Sequence, residues 1–210
     1  MSQIKIIKSS YEIMTDLNSN NILEFLEPII RVCYKSEDLI KEGSAERIVK
    51  KILDSKHEST IEHINISVKF ICNRGFSHEL VRHRLASFSQ ESTRYCNYSK
   101  DKFNHKITII EPTNFEYWSL EQQYLWTKAM EKSASNYFKL LDKGLKPQEA
   151  RGVLPIDLKT EIVITTNLRH WREILKQRTS LAAHPSMREL MIPLLQDFKK
   201  KIPLIFDKLE

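Results

Sequence analysis

The stretch from Arg82 to Tyr95 reads RHRLASFSQESTRY, and its fourteen residues include three arginines, a histidine, three serines and a threonine. An arginine side chain presents a planar fork of N–H donors that matches phosphate or carboxylate oxygens in pairs, and hydroxyl groups add donors that can rotate. The stretch therefore predicts a site for a phosphorylated ligand. The alternative interpretation is a solvated basic helix face that is followed by a polar loop.

One arginine of this stretch is expected to face the protein interior. If residues 76–86 form a helix with about 100° between successive residues, Leu80, Val81 and Leu85 define an apolar arc. Arg84 falls inside that arc. Because a buried permanent charge is costly unless an anionic group meets it, Arg84 predicts a nearby carboxylate or an anionic ligand.

A second segment with the same property covers residues 167–178. In helical projection its apolar residues form one arc, which consists of Leu168, Trp171, Ile174 and Leu175. Arg178 falls back into this arc, so it too is expected to face inward and to need an anionic or strongly polar partner. The alternative is that the helix frays there and Arg178 meets the dipole at its C-terminus.

Composition indicates a globular protein. With 210 residues, 41% of them hydrophobic, the chain is expected to form a single domain over residues 1–210. No apolar run is long enough to span a bilayer and the first residues lack the apolar core of a signal peptide, so we expect a cytoplasmic protein with no membrane partner. The net charge of +6 suits an anionic ligand or nucleic acid.

Cysteines and glycines exclude several kinds of site. Cys33, Cys72 and Cys96 are odd in number and form no CxxC pair, so we expect free thiols and no metal. The four glycines cannot supply a GxGxxG or GxxxxGK[ST] loop, which excludes the Rossmann and P-loop modes of nucleotide binding. Any bound nucleotide would therefore be held by side chains and helix ends.

Hydrophobic periodicity predicts an α+β fold in which a mixed or largely antiparallel sheet is covered by helices. The predicted strands cover residues 4–7, 64–71, 106–111 and 159–167, and the predicted helices cover 20–34, 44–55, 76–86, 119–144, 147–155, 168–179 and 185–202. Pro28 is expected to kink or interrupt the first helix. Ser44 and Ser77 are expected to cap helices, Gly75 to end a strand, and Ser119 with Gln122 to form a capping box.

The motifs resemble those of one enzyme family. Arg82-His83-Arg84, followed by Ser92 and then by Arg94-Tyr95, closely resembles the signature of the flavin-dependent thymidylate synthases. The resemblance continues, in the family's order, at residues 150–155, at 167–169, at Arg178 with His184, and at His57 with Glu62-His63. It covers roughly residues 30–200.

The resemblance implies an activity. It implies reductive methylation of dUMP to dTMP with methylenetetrahydrofolate as carbon donor and FAD, reduced by NADPH, as hydride source. No cysteine nucleophile takes part, and a homotetramer with sites shared between subunits is implied. Arg178 would be the catalytic residue, because an inward guanidinium stabilises charge that develops on the pyrimidine ring.

The resemblance also implies two sets of binding residues. The dUMP set is Glu79, Arg82, Gln90, Glu91, Ser92, Thr93, Arg94, Arg151 and Arg178. The FAD set is Ser59, Arg82, His83, Arg84, Gln90, Asn167 and Arg169. The chain departs from the family pattern at Glu79, where the family often has glutamine, and at Ser89-Gln90, where it often has Asn-Glu.

Two other classes of function stay open at the level of sequence. A metal-dependent nucleotide phosphohydrolase could draw on His57, Glu58, Glu62, His63, His78, Glu79, His83 and His184. However, His78 and His83 lie five residues apart, which would point them about 140° away from each other on a helix. A nucleic-acid-binding module would fit the basic charge, but the chain lacks a recognisable aromatic platform or recognition helix.

Overall fold

The computed structural model describes residues 3–209. Its strands are β1 Ile4–Ile7, β2 Ser10–Ile13, β3 Asn65–Asn73, β4 Ala86–Gln90, β5 Ile107–Ile110 and β6 Lys159–Asn167. Its helices are α1 Ser19–Val32, α2 Ser44–Asp54, α3 Arg74–Leu80, α4 Leu120–Asp142, α5 Pro147–Ala150, α6 Leu168–Thr179, α7 Pro185–Lys201 and α8 Pro203–Phe206. No helix within these residues combines the length and apolar character of a membrane span.

The α+β class predicted from the sequence is confirmed. Four strands form an open antiparallel sheet in the order β2-β3-β6-β4, and β1 pairs in parallel with β5, with Ile4 opposite Ile107 and Ile7 opposite Ile110. Contacts divide the chain into two compact units. The first comprises the chain up to Ser10, Phe70–Arg82 and Phe88–Val163, and the second comprises Tyr11–Lys69, His83–Ser87 and the chain from Ile164 onward. The single domain stays a prediction.

The core of the first unit lies between α4 and the β1-β5 pair. Met130, Ala134, Tyr137 and Phe138 are buried along α4 at the spacing of one helix face. They belong to one apolar cluster with Ile4 of β1 and with Ile107 and Ile109 of β5. The predicted capping box is confirmed, since the side chains of Ser119 and Gln122 each accept a hydrogen bond from the other's backbone N–H at the start of α4.

The core of the second unit is built from α1, α2, α6, α7 and α8. Trp171 of α6 is fully buried, and its ring meets the ring of Phe198 on α7 edge to face at 5.5 Å between centroids. The indole N–H of Trp171 donates to the carbonyl of Ile66 on β3 at 3.0 Å, so the only polar atom of this side chain is satisfied in the core.

The predicted helix over residues 76–86 is wrong. Helix α3 ends at Leu80, and the chain is extended again as β4 from Ala86. Thr166 on β6 donates its hydroxyl to the carbonyl of Leu85 at 2.6 Å, so this backbone is held beside the neighbouring strand. Pairing with a distant strand overrode the local apolar pattern, which is why the helical projection failed here.

Several expected element ends are also corrected. Helix α1 continues through Pro28, and α2 begins at Ser44 with Gly43 as its N-cap, in a left-handed conformation at φ 71°. Asn73 caps α3 by accepting from the N–H of Phe76 at 2.8 Å, so Ser77 is no cap. β3 ends at Asn73, ahead of Gly75.

Candidate functional site

The first unit gathers hydroxyl and guanidinium groups after the end of β4. Thr93 is buried, and its hydroxyl accepts from Nη1 of Arg151 at 3.1 Å. Arg94 donates its backbone N–H to the hydroxyl of Ser92 at 3.3 Å and its Nε–H to Oε1 of Gln148 at 3.3 Å. We call Ser92, Thr93, Arg94 and Arg151 the arginine–hydroxyl cluster. Its donors match the oxygens of a phosphate group.

Gln90 and Glu91 hold the end of β4 in place through their side chains. Gln90 Nε2 donates to the hydroxyl of Ser77 at 2.8 Å and to that of Thr160 at 3.2 Å. Glu91 accepts from Nζ of Lys159 at 2.9 Å. Burial alone would lower the pKa of Lys159, but its bonds to Glu161 and Glu91 hold that pKa above its ordinary value. These side-chain contacts fix the end of β4, from which the chain leads into the arginine–hydroxyl cluster.

Two further residues of the predicted dUMP set lie at the end of α3. Glu79 is half-buried in its last turn, and Arg82 is exposed in the turn that follows. The expectation that residues 82–84 lie on one helix, and that Arg84 faces inward among apolar residues, is wrong. Arg84 is exposed in the segment between α3 and β4, and Leu85 beside it is 73% exposed.

The second unit has a cavity of about 440 Å³ at the start of α6. Asn167 lines it and caps this helix by accepting from the N–H of His170 at 2.9 Å. Arg169 pairs with Glu62 at 2.6 Å, and Arg172 pairs with Glu58 at 3.1 Å. The cavity volume falls within the range of about 300–1,000 Å³ that small-molecule sites occupy.

Ser59 of the predicted FAD set lies at a second cavity of about 430 Å³ in the same unit. This cavity shares Glu58 and Arg169 with the first one and is also lined by Tyr34 and His57. The hydroxyl of Tyr34 and Nδ1 of His57 lie 3.3 Å apart. The fold therefore brings Ser59, which is distant in sequence, to a cavity that adjoins the one lined by Asn167 and Arg169.

His83 and Arg178 meet in the second unit. Nε of Arg178 donates to Nε2 of His83 at 2.9 Å, although the two residues lie 95 positions apart in sequence. The predicted inward orientation of Arg178 agrees with its partial burial, and α6 stays helical to Thr179, so the frayed end does not occur. Burial, the charge of Arg178 and the nearby His170 lower the pKa of His83 to about 4.

Sequence reasoning missed two residues at these sites. His170 lines the first cavity, its pKa is lowered by burial, and its Nε2 is buried without a hydrogen-bond partner among residues 3–209. Lys159 joins Glu91 to Glu161 in the first unit. His170 follows the cap residue Asn167 by three positions, which was a usable signal, whereas the Lys159 contacts depend on strand pairing.

The remaining sequence expectations concern thiols and metals. Cys33, Cys72 and Cys96 are free thiols, as predicted. Within residues 3–209, histidine, cysteine and acidic side chains form no group of three or more that could hold a metal ion. The structure therefore adds no support for the metal-dependent phosphohydrolase.

Comparisons with known proteins agree with the motif resemblance. Residues 18–204 match the family model described as "Thymidylate synthase complementing protein". A flavin-dependent thymidylate synthase of Pyrococcus furiosus is 32% identical over 168 residues, which are 80% of this chain and 68% of the relative. The enzyme of that name from Geobacter sulfurreducens is 32% identical over 184 residues, covering 84% of this chain and 77% of the relative. The chain therefore belongs to the thymidylate synthase complementing protein family.

Proposed function

We propose that the chain is a flavin-dependent thymidylate synthase that converts dUMP to dTMP by reductive methylation. In this proposal methylenetetrahydrofolate is the carbon donor, and FAD reduced by NADPH is the hydride source. One observation carries the proposal: the hydrogen bond between Arg178 and His83 joins the two segments whose motifs resemble those of the flavin-dependent thymidylate synthases. The relatives are flavin-dependent thymidylate synthases by name, which supports the flavin and the class of product.

The proposed nucleotide residues are centred on the arginine–hydroxyl cluster. Its two guanidinium groups and two hydroxyls would bind the 5′-phosphate of dUMP through charge-assisted hydrogen bonds. The hydrogen bond from Arg151 to Thr93 orients one of these forks before any ligand arrives. Glu79, Arg82, Gln90, Glu91 and Arg178 complete the proposed set, in which Gln90 and Glu91 contribute chiefly by fixing the end of β4.

The proposed flavin residues fit a large ligand with both polar and charged parts. Asn167 and Arg169 line the cavity at the start of α6, and Ser59 lines the adjoining one. Nε2 of His170, which has no hydrogen-bond partner among the described residues, is a polar atom there for which a ligand could provide a partner. Arg82, His83, Arg84 and Gln90 complete the proposed set. When bound, reduced FAD supplies a hydride to the pyrimidine.

Arg178 is the proposed catalytic residue. A partly buried guanidinium is always charged, and in a site with little water it stabilises negative charge that develops on a uracil ring. The last turn of α6 and the bond to His83 hold the side chain in one place. The guanidinium therefore needs little reorganisation during the reaction.

We also propose that no cysteine acts as nucleophile. Burial raises the pKa of the Cys72 thiol to about 12, and burial followed by Glu91 raises that of Cys96. A thiol whose pKa is raised holds little thiolate at neutral pH, and the thiolate is the nucleophile. The remaining thiol, Cys33, lies just after α1 and lines the cavity of Ser59, which we assign to the flavin and not to the nucleotide.

The proposed assembly is a homotetramer in which the sites are shared between subunits. A chain of 24.8 kDa without a dinucleotide-binding loop offers limited surface to enclose FAD, so neighbouring subunits would complete the enclosure. The proposal predicts a particle of four chains in solution, which sedimentation or light scattering measures directly.

The test of the function combines a spectrum with an assay. We expect the purified protein to bind FAD, seen in its visible absorption, and to release tritium from 5-tritiated dUMP only with methylenetetrahydrofolate and NADPH. A variant with Cys33→Ser, Cys72→Ala and Cys96→Ala should keep this release. A colourless protein that neither takes up FAD nor releases tritium would overturn the proposal, and loss of release in the thiol-free but folded variant would overturn the cysteine-independent mechanism.

A further inference from the structure

His83 differs from its two arginine neighbours in being buried. It is 7% exposed, whereas Arg82 and Arg84 on either side are exposed. A buried imidazole needs partners for its polar atoms. The partner that the structure gives Nε2 is the Nε–H of Arg178, at 2.9 Å.

This hydrogen bond fixes the protonation of His83. The Nε of arginine carries a hydrogen at every accessible pH, so it can only donate. Nε2 of His83 must therefore be the acceptor, and the neutral ring must carry its proton on Nδ1. A protonated His83 would present a donor to a donor and place two positive charges side by side.

The surroundings of His83 keep its ring neutral. The ring of His170 lies edge to face with it, with centroids 5.9 Å apart, and the Arg178 guanidinium adds a positive charge. Glu173, which lies on α6 with His170 and Arg178, raises the pKa of His83 but does not cancel the lowering. At neutral pH the acceptor is thus present in nearly every molecule.

A hydrogen-bond acceptor at Nε holds an arginine side chain at the atom that joins the planar guanidinium group to the aliphatic chain. The arginine side chain has several rotatable bonds, and ordering such a chain has an entropic cost. A bond at Nε orients the guanidinium plane while leaving its outer edge as the part presented to a ligand. Helix α6 fixes the other end of the side chain, because Arg178 lies in its last turn.

We propose that neutral His83 is a positioning residue for Arg178, acting through the bond between Nε2 and the Nε–H. This role is additional to the flavin contact proposed for His83, and its catalytic consequence rests on the proposed function. Loss of the acceptor, by substitution or by protonation of the ring, would release the guanidinium plane.

The first test uses the flavin-free full-length protein and does not depend on activity. In wild type and in His83→Gln, whose amide oxygen can still accept, the Nε–H proton of Arg178 should exchange slowly in 15N NMR spectra. In His83→Leu, which has no acceptor, exchange should be faster by about tenfold or more, the worth of a hydrogen bond to a charged group. In Arg178→Leu the pKa of His83 should rise, because a neighbouring cation is gone.

Equal exchange rates in wild type and a folded His83→Leu, or an unchanged His83 pKa in Arg178→Leu, would overturn the proposal. A thermal unfolding scan checks that each variant is folded. These measurements stay informative if wild type releases no tritium, a result that would remove the proposed function but not the contact.

The second test is a double-mutant cycle on tritium release. His83→Leu should slow release by about tenfold to a hundredfold in wild type but add little in an Arg178→Ala background, because residues that act as a unit are not additive. His83→Gln should recover much of the rate. The positioning role would be overturned if the rate losses of the two single variants multiplied in the double variant. It would also be overturned if the rate loss of each His83 variant equalled its loss of flavin affinity, since His83 would then act on the flavin alone.

Discussion

Arg151 shows how a single residue of the proposed nucleotide site could be prepared for its ligand. It is exposed, yet its Nη1 is already tied to the buried hydroxyl of Thr93 at 3.1 Å. A lysine at this position would keep the charge but lose the planar fork that binds two phosphate oxygens together. The geometry of the fork, more than its charge, is therefore expected to set affinity for dUMP.

We predict that Arg151→Lys weakens dUMP binding by about tenfold, the worth of one charge-assisted hydrogen bond, while FAD affinity stays unchanged. Titration calorimetry with dUMP and with FAD measures both. Arg47→Lys is the matched control, since Arg47 is an exposed arginine on α2 outside the proposed sites. Equal losses in the two variants, or none in Arg151→Lys, would contradict the role assigned to the fork.

Two arginines show what the sequence could reveal about the site at this scale. The same projection argument placed Arg84 and Arg178 in apolar arcs. It was correct for Arg178 because α6 is a helix over its whole predicted length. It failed for Arg84 because α3 ends at Leu80, so the assumed periodicity does not apply. The burial of His83 followed from neither pattern, since it depends on a contact across 95 positions.

At the scale of elements, predictions succeeded where the signals are local. The limits of β6 and α6, and the capping box of α4, follow from residues within a few positions of each other. Strands β2 and β4 were missed because each is short and is defined by pairing with a partner distant in sequence. The cap of α2 was misplaced since Ser44 uses its hydroxyl for another contact.

That contact joins α1 to α2 through buried polar groups. Oε1 of Glu27 accepts from Nε of Arg31 at 2.7 Å and from the hydroxyl of Ser44 at 2.6 Å. Glu27 and Arg31 are 3% and 6% exposed, so little water can replace a lost partner of either charge. The two helices therefore depend on the whole group being intact.

We predict that Glu27→Ala lowers the free energy of unfolding by about 3–5 kcal/mol, because it leaves the Arg31 charge buried and unpaired. Adding Arg31→Met should restore part of the loss. The control is Glu131→Ala, which removes an exposed pair with Lys128 and should cost less than about 1 kcal/mol. Urea unfolding curves measure all three, and similar losses for Glu27→Ala and Glu131→Ala would refute the argument.

At the scale of the whole molecule, composition and periodicity gave the class of fold, and motif order gave the family. They could not predict the tertiary contacts that shift the pKa values of buried groups. His83 and His170 both have their pKa lowered by burial before any other cause. The sequence context of His83 does not distinguish it from the exposed His57, His63 or His105.

These two histidines make stability depend on pH in a defined direction. The pKa of His83 is about 4 in the folded protein and about 6.5 in an unfolded chain. Between these values the unfolded state binds more protons, so stability rises with pH. The contribution of a neutral His83 is therefore present above about pH 6.5 and is lost as the pH falls toward about 4.

We predict that the denaturation midpoint of wild type falls between pH 7 and pH 4 more steeply than that of His83→Gln, whose side chain does not titrate. Carboxylates titrate alike in both proteins, so the difference between the two curves isolates His83. His105→Gln is the control, because His105 is exposed and pairs only with the exposed Asp101 at 3.7 Å among its described salt bridges. Parallel curves for wild type and His83→Gln would show that the buried imidazole does not govern acid stability.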